Sequence, residues 1–169
     1  MPLNYRTINL AGFIACFLLI AGALVMQHVF ELEPCPLCIF QRVSFMVAGI
    51  LFLAGALLNP TTPSLRLSIS ALNLIALATG VGLALRHIWL QNLPPSEVPS
   101  CGPGLDYMLE VLPFTSVINQ VLSGSGECAE VSWLFLGLSI PWWTMFAYLG
   151  LSGLIFLAHY KIKDRTGIQ

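Results

Sequence analysis

The chain has 169 residues, of which 57% are hydrophobic and only 9% charged, against roughly 25% charged residues in an average soluble domain. Its net charge is −1 and it carries no cluster of lysine and arginine, so neither a soluble globular domain nor a nucleic-acid-binding surface fits. What remains is one integral membrane domain over residues 1–169, with a lipid bilayer as its solvent.

A bilayer core about 30 Å thick needs roughly 20 mainly apolar residues per helix. Four such segments follow one another at about residues 10–30, 39–58, 67–90 and 141–160. The first comes after "MPLNYRT" and is longer than the roughly 7 to 15 residues of a signal-peptide core, so it is read as a retained helix. The expectation is an all-α membrane protein, a four-transmembrane-helix bundle with one long loop at about residues 91–140. Lysine and arginine near helix ends mark the cytoplasmic side. Arg6, Arg66, Lys161, Lys163 and Arg165 fall on one face, while Glu31, Glu33, Glu97, Asp106, Glu110, Glu127 and Glu130 fall on the other. Both termini are therefore expected in the cytoplasm and the long loop outside.

Between the first two segments lies "ELEPCPLCIFQRVSF", with Cys35 and Cys38 two residues apart. Of the five cysteines, these two and the loop residues Cys101 and Cys128 are expected outside, and Cys16 is read as a small apolar residue buried in the first helix. An outer compartment is where disulfides persist. A cross-link over two residues closes almost no loop, which makes Cys35 and Cys38 a poor staple. Two structural disulfides and a four-cysteine zinc site stand as the alternatives, although Cys101 and Cys128 lack zinc-ribbon spacing and the histidines at 28, 87 and 159 are scattered.

Pro36 suits the first position of a second helix, where its missing N–H costs nothing. Cys38 then falls in the first turn, where unpaired N–H groups and the helix dipole favour an anion. Arg42 comes one turn later on the same face. An arginine inside a spanning segment is costly and marks a functional position, and here it is placed to stabilise a thiolate and an anion developing on a neighbouring acceptor. Arg86 and His87 stand near the outer end of the third segment, at the level of Arg42, so His87 is a candidate for the same site. His28 and His159 are read as interfacial.

In the long loop, "PPSEVPSCGPG" predicts an extended or turning stretch around Cys101 that another protein's cleft can grip. Phe114, Val117, Ile118, Val121 and Leu122 recur at helical spacing, which predicts a short amphipathic helix lying along the membrane surface. "SGSGECAE" predicts a flexible tether for Cys128.

Together these features resemble the disulfide bond formation protein B family, DsbB, bacterial inner-membrane enzymes that reoxidise the periplasmic thiol oxidase DsbA with quinone. The resemblance is carried by the four hydrophobic segments, by "CPLCIFQR" after the first, by the paired loop cysteines, and by "ECAEVSWLFLGLSIPWW" leading into the fourth. It implies that Cys35 and Cys38 are the membrane-edge redox pair and that Cys101 and Cys128 are the loop pair that meets a DsbA-like thioredoxin-fold partner. It further implies that Arg42 and His87 belong to a site for quinone, ubiquinone or menaquinone, with no metal. The implied relay has DsbA attack Cys101 in a Cys101/Cys128 disulfide, Cys128 then attack Cys35, and Cys38 emerge as the thiolate that faces the quinone. Pro36, Arg86 and Cys16 depart from the pattern of some members and leave the four cysteines untouched. The rival readings are a quinone and thiol enzyme of the vitamin K epoxide reductase type, running in the reductive direction, and a membrane metal-binding protein.

Overall fold

The structure, a computed structural model, describes residues 4–100 and 105–166. Four of its helices are long and apolar enough to cross a membrane: α1 (Tyr5–His28), α2 (Pro36–Leu58), α3 (Pro63–Gln91) and α7 (Ile140–Thr166), the last with its apolar span at Ile140–Tyr160. Local chemistry sets where they begin. At α1 the Asn4 N–H donates to Thr7 Oγ1 at 2.8 Å, which starts the helix ahead of the apolar run. Pro36 and Pro63 each occupy the first turn of their helices, and Asn59 ends α2 in the left-handed region at φ 37°.

The four helices pack in a ring, α1 on α2, α2 on α3, α3 on α7 and α7 on α1. Inside the ring, Cys16, Phe45, Ala48, Phe52, Leu77, Tyr148, Leu151 and Ile155 form the core. Phe45 and Tyr148 stack with ring centroids 4.0 Å apart. Small residues allow this closeness, as bundles in lipid require: a Cβ on Gly80 would run into the Tyr148 ring, and one on Gly12 would lie 2.7 Å from Phe52. Outward-facing Ile50, Ile75 and Phe156 are exposed, an arrangement suited to a hydrocarbon surround. His159 is not merely interfacial: its Nε2 lies 2.9 Å from Ser70 Oγ, which ties α7 to α3.

The connection between α3 and α7 is more structured than its composition suggests. It holds α4 (Leu105–Val111), α5 (Phe114–Ser123), the four-residue α6 (Gly126–Ala129) and a small antiparallel hairpin, β1 (Leu134–Phe135) with β2 (Leu138–Ser139). Leu136 and Gly137, with φ of 53° and 78°, make its turn. The α5 helix buries Val117 and Val121 against the end of the bundle, in one cluster with Cys35, Leu37, Leu83, Leu90, Met108 and Cys128. Phe114 and Leu122 stay exposed. The tether expected around Cys128 is instead a tight turn. Gly124, at φ 83°, lets the backbone pass so close to Leu90 that a Cβ there would sit 2.5 Å from the leucine's Cδ1, and the Cys128 N–H donates to the Ser125 carbonyl at 2.9 Å. Cys128 is 1% exposed as a result.

Candidate dithiol site

The site grows from the start of α2. Cys35 is the N-cap, and its sulfur accepts the Cys38 N–H at 3.4 Å. Pro36 fixes the first helical position and Cys38 stands in the first turn. The two Sγ atoms are 3.0 Å apart. Both are free thiols, as are Cys16 and Cys128 among the described residues. Cys16 lies in the core of the ring, away from this site. Cys101 lies outside the described residues; Ser100, just before it, accepts a hydrogen bond from the Gly126 N–H at 3.4 Å, beside the turn that carries Cys128.

His87, 3% exposed on α3, brings Nε2 to 3.8 Å from Cys35 Sγ and Nδ1 to 3.9 Å from Cys38 Sγ. The three donor atoms lie within 4.8 Å of one another. Zn–S bonds of about 2.3 Å would set a sulfur–sulfur edge of roughly 3.8 Å in a tetrahedron. The two sulfurs stand 3.0 Å apart, in hydrogen-bond contact.

Two amides complete the surroundings, and the sequence reading missed both. Gln41, buried on α2, places Nε2 3.4 Å from His87 Nδ1 and accepts from the Thr144 hydroxyl at 2.8 Å through Oε1. Its backbone carbonyl accepts from Tyr148 Oη at 2.8 Å. Gln27 on α1 accepts from Arg42 Nη1, while Arg42 Nη2 donates to the Ala23 carbonyl at 3.3 Å. Arg42 thus spends these bonds on α1, whereas His87 sits against the sulfurs. A polar amide inside an apolar run was the available signal in both cases.

Arg42, Cys38, Gln41 and His87 all line one cavity of about 910 Å³, with Leu19, Ile20, Ile39 and Phe45 among its apolar walls. Cys128 belongs to the cluster that includes Cys35. Its hydrogen bond with Cys35, its burial and the charge of Cys35 all push its thiol well above the usual range.

A family model described as "Disulfide bond formation protein DsbB" matches residues 5–158. Three proteins named "Disulfide bond formation protein B" are similar over most of the chain. That of a Psychrobacter species is 51% identical over 140 residues, covering 82% of each chain. That of Hahella chejuensis is 50% identical over 152 residues, 88% of this chain and 89% of its own. That of Chromohalobacter salexigens is 50% identical over 158 residues, 92% of each. With four apolar helices and a dithiol at the head of the second, this chain belongs to the DsbB family, as a multi-pass membrane protein and disulfide oxidoreductase.

Proposed function

We propose that the chain makes disulfides in the periplasm by reoxidising a DsbA-type thioredoxin-fold oxidase and passing two electrons to a membrane quinone. The observation that carries this reading is the shared cavity: the Cys35/Cys38 dithiol, a guanidinium and an imidazole meet in one space with apolar walls. A flat apolar ring with two carbonyl oxygens suits that donor set, with Arg42 and His87 as the groups that would hold it, whether ubiquinone or menaquinone. A bound quinone would take up two electrons and two protons there.

The residues of the chain divide the remaining work. Cys101 and Cys128 exchange with the oxidase, and Cys128 then exchanges with Cys35, which it already packs against. Each exchange is attack by a thiolate on a disulfide sulfur, and the second leaves the electron pair on Cys38 beside the cavity. The whole chain acts as one domain, both termini lie in the cytoplasm, and the cysteine-bearing end faces the periplasm of a bacterial inner membrane. Phe114 and Leu122, exposed on α5, are placed to touch the lipid surface.

Quinone reduction by the purified protein tests this, with a reduced DsbA-type oxidase as the donor. One quinol formed per disulfide made is expected; thiol exchange without quinol would overturn the assignment of the acceptor.

A further inference from the structure

His87 can act on Cys35 in two opposite ways. With its proton on Nε2 it donates to the sulfur; with its proton on Nδ1 it presents a bare nitrogen that takes a proton from the thiol. Which form is present depends on what the other ring nitrogen meets, here the Gln41 amide at 3.4 Å.

The amide's direction is set from α7. Thr144 Oγ1 lies 2.8 Å from Gln41 Oε1 and 2.9 Å from the Pro141 carbonyl. Pro141 stands in the first turn of α7, where the helix itself supplies its carbonyl with an N–H donor. Gln41 Oε1 is the nearer acceptor and the Pro141 carbonyl has that other donor, so the Thr144 proton is assigned to Gln41 Oε1. That leaves the Gln41 NH₂ turned to His87 Nδ1, which must accept. Tyr148 holds the Gln41 backbone at the same time, which fixes the point from which the side chain reaches both neighbours.

We infer that Thr144 and Gln41 are positioning residues that fix the His87 tautomer, with the ring proton on Nε2 and aimed at Cys35. The hydrogen bonds then run in one direction, from the Thr144 hydroxyl to Gln41, from Gln41 to Nδ1, and from Nε2–H to the Cys35 sulfur. The two sulfurs are made unequal. Cys35 receives both the imidazole proton's hydrogen bond and the Cys38 N–H, whereas Cys38 accepts the Cys35 thiol proton at 3.0 Å and faces a nitrogen already occupied by Gln41. When the Cys35 thiol of the reduced dithiol gives up its proton, the electron pair stays on Cys35 Sγ. There the Nε2–H bond becomes charge-assisted, and such bonds are roughly twice as strong as neutral ones.

This rests on the function proposed above, but its deciding readout, the ring tautomer, needs no quinone. Ring-nitrogen NMR of the full-length, reduced, ¹⁵N-histidine-labelled protein reads the tautomer directly, with the His87 signals assigned by their loss in His87→Asn. The wild type should show a protonated Nε2 and a bare Nδ1. Thr144→Val should turn this into a mixture and slow turnover about fivefold, the loss expected for one net hydrogen bond, and Thr144→Ser should restore both. Gln41→Met, which keeps the backbone carbonyl for Tyr148, should likewise lose the Nε2 preference. A wild-type ring protonated on Nδ1, or ring shifts unmoved in Thr144→Val and Gln41→Met, would overturn the inference. A protein that gives the expected tautomer and no quinol would sink only the acceptor assignment.

Discussion

Arg42 holds a positive charge in an apolar wall and divides its donors between Gln27 and the Ala23 carbonyl. Lysine would keep the charge and lose the planar fork that reaches both. Arg42→Gln is therefore expected to raise the quinone KM by at least about tenfold, since hydrogen bonds to charged groups contribute roughly 1.5–3 kcal/mol, and Arg42→Lys should fall between it and wild type in steady-state assays. Cys128 gives a prediction of a different kind. Its raised thiol keeps the reactive thiolate scarce near neutrality, so its alkylation in the reduced protein should speed up about tenfold per pH unit from pH 7 to 9. Because the hydrogen bond with Cys35 is the largest cause of that shift, Cys35→Ala should make Cys128 alkylate faster at pH 7; a slower rate would contradict the cause assigned. Arg42 and His87 stand out in the sequence because ionisable groups near a spanning segment contrast with an apolar background, and both line the cavity beside Cys38. Gln27, Gln41 and Thr144 do not, since a lone amide or hydroxyl gains meaning only from its partner, and the partner depends on how each helix is turned.

The four spans were equally legible, for their length and hydropathy leave few alternatives. Their ends were not: α2 starts at Pro36 and α3 at Pro63, ahead of the apolar runs, because proline and capping chemistry act upstream of hydropathy. The α5 pattern predicts a short amphipathic helix along the membrane surface; a helix stands there, and its Val117 and Val121 pack on the protein itself. The four-residue α6 and the hairpin are too short for periodicity to reveal. Packing between α3 and α7 turns on Gly80, whose absent side chain makes room for the Tyr148 ring. Overpacking of this kind costs about 1–3 kcal/mol, so Gly80→Ala should lower the melting temperature in detergent and weaken the Tyr148 bond to Gln41. Gly82→Ala is the control, since nothing lies within 4 Å of its added carbon; equal melting temperatures for the two variants would remove Gly80 from this role.

Along the sequence, seven of the eight acidic residues fall between α1 and α2 or between α3 and α7, and five of the seven basic residues fall near the termini or the α2–α3 turn. In a background without native cysteines, Ser132→Cys should react with an impermeant thiol reagent on intact cells, and Thr61→Cys only after the inner membrane is opened; the reverse pattern would invert the topology. Both positions are exposed. The orientation of α3 about its own axis is a separate matter, because surrounding hydrocarbon attracts every apolar face alike and does not choose an angle. Arg86 donates to the Leu122 and Ser123 carbonyls at 2.9 and 3.0 Å and lies 4.2 Å from the Trp89 ring centroid, while His87, about 100° further round the helix, meets the thiols. Ser70 meets His159 toward the opposite end. These polar contacts key α3 like a bolt whose angle is set at both ends. Since one key turns against α5 and the next against the sulfurs, the loop helix and the imidazole share a single rotational setting, and neither can be re-aimed without carrying the other with it.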